Sequence, residues 1–173
     1  MEIRMACVED STPLSNYYNR NALHLENAGP KREEGYDTPS AWQQRLAVWA
    51  QEHEQGRSAH FIGLSANGDI IGMCTLSNIT YGGFMACHMG YHIDKNKQGQ
   101  GLMTAICEKA IQHAFKELKL NRVMANYMPD NTRSENILKR MGFTIEGHAD
   151  RYLKINGKWQ AHVLTSLLNP EVL

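Results

Sequence analysis

The alternation of apolar and polar positions divides the chain into elements. Residues 3–6 predict a short first strand. Thr12-Pro13 pairs an N-cap residue with proline at the first helical position, predicting a helix to about Leu23. Residues 26–39 are polar, contain glycine and proline, and read as a loop. Ser40 is the expected cap of a second helix, in which Trp42, Leu46, Trp49 and Ala50 recur at helical spacing and Gly56 supplies the stop. Residues 59–65 and 70–76 are strand-like and joined across Asn67-Gly68, a hairpin signal. Gly82-Gly83 then turns the chain into a central strand over 85–93.

The second half is patterned more strongly. Leu102, Met103, Ile106, Cys107, Ala110, Ile111, Ala114, Phe115 and Leu118 form one broad apolar stripe, the best helix in the chain. A strand over 122–128 is broken by Pro129-Asp130-Asn131. A short helix over 134–140 ends at Gly142, a left-handed C-cap. Three strands follow, 143–146, 152–155 and 159–168, the last two closed by Asn156-Gly157. The expected order is β, two helices, a β meander, then β-helix-β-helix-β-β. That describes one mixed α/β (α+β) domain over residues 1–173, with no repeat or linker to divide it.

Composition narrows the setting. Lys plus Arg equals Asp plus Glu, 18 against 18, so no global field draws the chain to nucleic acid or lipid. Cys7, Cys74, Cys87 and Cys107 are scattered without C-x-x-C spacing, predicting reduced thiols in a cytoplasmic protein. No run approaches ~18 consecutive apolar residues, and the first residues lack a secretory layout, so neither membrane nor export is expected. Of eight histidines, His88 and His92 share a strand face but would stand about 13 Å apart, too far for one ion. No metal is expected.

The chemistry concentrates at Gln98-Gly99-Gln100-Gly101-Leu102-Met103, between a strand and the best helix. Backbone N–H groups of such a turn converge on a phosphate, and the helix start adds positive potential. A P-loop would need Gly-Lys-Ser/Thr, which Gly101-Leu102-Met103 does not offer. A dinucleotide fingerprint needs a third glycine where Thr104 stands. A third reading is coenzyme A.

Gln98-x-x-Gly101 resembles the Q/R-x-x-G-x-G/A motif of the GCN5-related N-acetyltransferase (GNAT) family, with Met103 at the position usually Gly or Ala. Asn131-x-x-Ser134 and Arg140-Met141-Gly142-Phe143 resemble that family's second block, at the expected distance. Tyr17-Tyr18, Trp42-Gln43-Gln44-Arg45-Leu46, Ala125-Asn126-Tyr127-Met128-Pro129 and His162-Val163-Leu164-Thr165 are similar to the branch that acetylates ribosomal-protein alanine N-termini. The resemblance implies a twisted, mixed, mostly antiparallel sheet with helices on both faces, and acetyl-CoA as donor. It implies a small-subunit ribosomal protein's N-terminal α-amine as acceptor, with association with ribosome precursors a further expectation.

By the same resemblance, Tyr91, His92 and Ile93 pair with the pantetheine arm. Gln98, Gly99, Gln100, Gly101, Leu102, Met103 and Thr104 cradle the diphosphate. Asn131 bonds the arm or caps its helix. Ser134 is expected to hydrogen-bond the sulfur, since Leu138 stands where many relatives place a tyrosine. Asn126 occupies the position of a glutamate base in some relatives and is expected to orient a water. Glu26, His92, Asp150 and Tyr152 are rival bases, and the base stays unassigned. Related folds cover the acceptor with the region of residues 26–39, where Lys31, Glu33, Glu34 and Asp37 cluster; a basic acceptor would meet those carboxylates. Two rival functions stay open: acetylation of a small amine (polyamine, antibiotic or amino acid), and a non-catalytic acyl-CoA-binding ribosome-assembly module. Monomer and homodimer are equally compatible with the sequence.

Overall fold

Seven strands make one sheet, ordered β1-β2-β3-β4-β5-β7-β6, in the computed structural model, which describes residues 1–26, 29 and 32–172. They are β1 (Glu2–Met5), β2 (Ala59–Leu64), β3 (Ile70–Thr80), β4 (Ala86–Ile93), β5 (Arg122–Met124), β6 (Thr144–Ile155) and β7 (Lys158–Leu168). Every neighbouring pair is antiparallel except β4 and β5, which run parallel. The helices are α1 (Ser11–Arg20), α2 (Ala22–Leu25), α3 (Pro39–Glu54), α4 (Leu102–Gln112) and α5 (Thr132–Arg140). Among the described residues no helix is long and apolar enough to cross a membrane.

Each face of the sheet buries its own core. On one face the α4 stripe packs Met103, Ile106, Cys107 and Ala110 over Phe61, Cys74, Leu76 and Met89, with Leu138 of α5 beside them. Ile106 fits a notch made by two glycines: Gly63 and Gly72 face each other across β2 and β3. A Cβ on Gly63 would stand 2.5 Å from Ile106 Cδ1, and one on Gly72 3.1 Å from it. On the other face α1 and α3 bring Leu14, Tyr17, Tyr18, Trp42 and Leu46 onto Ile62, Ile70 and Met73.

Several boundaries differ from the sequence reading. Thr38, not Ser40, caps α3, its Oγ1 accepting from Ala41 N–H, with Pro39 opening the helix. The first helix starts at Ser11 rather than after Thr12, and breaks at Asn21 into α1 and α2. The stripe of α4 runs on through a π turn, His113–Glu117. β6 is one strand where two were expected. Its ladder to β7 continues through Gly147, His148 and Ala149, with an irregularity between Ala149 and Leu153 that holds Arg151 at φ +50°.

β5 is shorter than expected, and the cause is local. Beyond Met124 the chain turns its bonds toward β7: Ala125 N–H donates to Thr165 O at 3.1 Å. Thr165 N–H in turn donates to the Asn126 side-chain Oδ1 at 3.1 Å. Pairing between β4 and β5 covers only Ala86, Cys87 and His88 against Arg122, Val123 and Met124. The two strands then part.

Candidate active site

The parting of β4 and β5 opens a cleft of about 750 Å³. One edge of β4 faces it beyond the last residue that pairs with a neighbouring strand. Asp94 N–H donates to Ile71 O on β3 at 2.8 Å. Successive strand residues point their N–H and C=O to opposite edges, so His92 addresses β3 while Tyr91 and Ile93 address the gap. Among the described residues no strand pairs with that edge beyond His88.

The glycine turn forms the next wall. Gly99 and Gly101 have φ of +72° and +75°, left-handed values that glycine adopts without strain. A Cβ at either would meet no atom within 4 Å, so the space over the loop is open. Gly101 is the N-cap of α4 without a side-chain cap bond, leaving the first-turn N–H groups to a ligand. A diphosphate fits this cradle, because it needs close backbone approach and positive potential, and both are present.

Opposite stands α5. Asn131 caps it, its Oδ1 accepting from Ser134 N–H at 3.1 Å. Ser134 Oγ lies 2.8 Å from Tyr91 Oη. Burial pushes the Tyr91 phenol above its ordinary range, so it stays protonated and serves as a hydrogen-bond partner only. Tyr91, His92, Ile93, Gln98, Gly99, Gln100, Gly101, Leu102, Met103, Thr104, Asn131 and Ser134 all line this cleft.

His92 behaves differently from its neighbours. Its Nδ1 lies 2.9 Å from Tyr17 Oη and its Nε2 2.9 Å from Tyr18 Oη. Both nitrogens are engaged, and burial pushes its pKa down to about 3. The ring is neutral at ordinary pH and has no free lone pair for an incoming amine. It ties β4 to α1.

Asn126 is not among the lining residues. Besides holding Thr165 N–H, it donates from Nδ2 to Tyr152 Oη at 2.9 Å, so its amide is committed on both sides. Among the other candidate bases, Glu26 Oε1 accepts from Asn156 Nδ2 at 3.4 Å, joining the β6–β7 hairpin tip to the end of α2. Within residues 26–39, Lys31 lies outside the described residues. Asp37 accepts from Arg32 at 3.2 Å while its carbonyl takes the Ser15 hydroxyl at 2.5 Å. Glu33 and Glu34 are exposed.

Sequence reasoning passed over His24, Lys97, Met128, Arg133, Ile137 and Arg140, which also line the cleft. Arg133 and Arg140 stand inside the recognised motifs, where their charge was the available signal. His24 carried none: it lies on α2, some 70 residues from Ile93, whose carbonyl is 3.2 Å from its Nε2. Among the described residues no group of His, Cys, Asp or Glu could hold a metal ion.

Comparison with known proteins agrees with this geometry. Residues 1–144 match the family model described as an acetyltransferase (GNAT) domain. The [ribosomal protein uS5]-alanine N-acetyltransferase of Escherichia coli is 41% identical over 171 residues, covering 98% of this chain and 88% of its own. The ribosomal-protein-S5-alanine acetyltransferase structure from Vibrio fischeri superposes with a TM-score of 0.94 at 38% identity, covering 98% and 93% of the two chains. Mycobacterium smegmatis RimJ, solved with a CoA-disulfide, superposes with a TM-score of 0.89 at 27% identity, over 98% and 82%. A matching domain model, a near-full-length relative and a shared fold make this chain a member of the GNAT acetyltransferase family.

Proposed function

We propose that the chain is one transferase domain that moves the acetyl group of acetyl-CoA onto the N-terminal α-amine of an alanine-starting ribosomal protein, uS5 in the first instance. The observation that carries this is the open β4 edge beside the Gly99–Gly101 cradle, together with near-full-length similarity to the uS5-alanine enzyme of E. coli. When bound, acetyl-CoA supplies an acetyl group activated as a thioester.

The first-turn N–H groups of α4 hold the diphosphate. Main-chain groups of Tyr91 and Ile93 pair with the pantetheine arm as an added strand would, and a β4 N–H polarises the reacting carbonyl. Ser134 Oγ, held by Tyr91 Oη, donates to the departing sulfur; a serine hydroxyl is too weak an acid to do more than this. An α-amine titrates near ~8, so a modest base suffices. Asn126 is not that base, because a carboxamide takes up no proton at ordinary pH, and its amide is held on both sides. Its role is to hold the Tyr152 hydroxyl and to end the β4–β5 pairing.

The test is release of CoA thiol with a panel of acceptors: a uS5 N-terminal peptide starting with alanine, the same peptide starting with serine, and spermidine. Turnover of the alanine peptide above the others is the expected result. Fast turnover of spermidine with none on either peptide overturns the acceptor assignment, and tight acetyl-CoA binding without any turnover favours a binding module.

A further inference from the structure

A short chain of side chains runs along the lining of the cleft. Arg133 Nη1 donates to Gln98 Oε1 at 2.7 Å, and Gln98 Nε2 lies 3.0 Å from His24 Nε2. Gln98 thus bridges α2 and α5 from opposite sides. For Arg133 this is a weak partner. A guanidinium bonded through one nitrogen to a neutral amide forgoes the bidentate pairing with a carboxylate or phosphate for which its fork is shaped.

The surroundings make that mismatch informative. The lining carries Lys97, Arg133 and Arg140 against one carboxylate, Asp130. Among the described residues none of these four belongs to an ion pair. Three cations gathered at one opening repel each other unless an anion enters, so the arrangement favours a polyanionic ligand. Arg133 is also placed by its present bond. It touches Gln98, the residue immediately before Gly99, and so stands beside the open space over the glycine cradle.

We infer that Arg133 is a ligand of the donor's diphosphate, held on Gln98 until the donor enters. This rests on the acetyl-CoA reading above and adds a side chain to a site otherwise made of main chain. Loading exchanges one amide acceptor for phosphate oxygens and breaks no covalent bond. The diphosphate is favoured over the 3′-phosphate because Gln98 opens the very loop that cradles it.

Titration calorimetry tests this with two ligands, CoA and dephospho-CoA, which share the diphosphate and differ in the 3′-phosphate. Arg133→Gln should raise Kd for both by the same factor, roughly 10- to 100-fold as for a lost charge-assisted bond. Arg133→Lys should recover part of it. Arg133 is exposed, so the melting temperature of the ligand-free variant should match the parent while the upward shift on adding CoA shrinks. A penalty confined to CoA would assign Arg133 to the 3′-phosphate and overturn the inference, as would an unchanged Kd. If the parent chain binds neither ligand, the donor reading itself has failed, a result separable from a failure of Arg133 alone.

Discussion

Tyr91 and His92 are neighbours on β4, yet they belong to cores built on different physics. Tyr91 looks toward α4, where aliphatic, methionine and cysteine side chains interlock and Ile106 sits in the Gly63–Gly72 notch. His92 looks toward α1, into a cluster organised by rings: Tyr18 stacks on Trp42 at 4.8 Å, and Trp49 stacks on His60 at 3.6 Å. Arg32 lies 4.1 Å over Tyr18, and Arg45 3.9 Å over Trp42. The first face is fitted by shape and lies beneath the helix that the glycine turn opens. The second is fitted by specific polar bonds. A shape-fitted core loses contacts in proportion to volume removed, whereas a bonded one fails when a single partner goes missing.

The contrast can be broken most directly at Ile106. Ile106→Ala leaves a cavity over two glycines that cannot fill it, and should cost about 2–5 kcal/mol of unfolding free energy in urea. Tyr18→Phe removes a single oxygen but strips His92 Nε2 of its partner, and should cost about 1–3 kcal/mol. An Ile106→Ala cost under about 1 kcal/mol would mean that the first face is not held by its fit, and an unchanged stability in Tyr18→Phe would mean that the second does not depend on its bonds. Ser134→Ala should lower kcat roughly tenfold, about 1.4 kcal/mol, with little change in KM for acetyl-CoA. A rise in KM alone would make Ser134 a holder of the donor instead.

A further effect is on pH dependence, and its sign follows from burial. The His92 and His60 rings are both pushed down to about 3, while an unfolded histidine titrates near ~6.5. Between those values the unfolded chain binds more protons than the folded one, so stability rises with pH. Their contribution is complete above about pH 6.5 and is lost progressively as pH falls toward 3. Melting temperatures between pH 7.5 and pH 4 should decline accordingly, and His60→Gln should flatten part of that slope. An unchanged slope would mean that His60 is not desolvated in solution.

What the sequence made legible divides along the same line. The donor side rests on a glycine turn, a capped helix and an apolar stripe, all local in the chain, and the residues expected there do line one cleft. The other side rests on contacts about 75 residues apart, such as Tyr17 with His92, which no window of sequence contains. The same reason explains Asn126. A strand asparagine reads as a polar group awaiting a substrate, and only the fold brings Thr165 and Tyr152 to occupy it. β6 was split by its polar centre, His148, Asp150 and Arg151, because an edge strand with β7 as its one neighbour tolerates charges that a central strand would not.

The gap between β4 and β5 has a consequence for the folded state as a whole. A sheet interrupted at its middle lacks the cohesion of a continuous one, and under the proposed reading the donor completes it. Any ligand that binds only the folded chain stabilises it by RT ln(1 + [L]/Kd), about 2.7 kcal/mol at a hundredfold excess over Kd. Resistance to heat and to proteolysis would then rise with the concentration of acetyl-CoA around the protein.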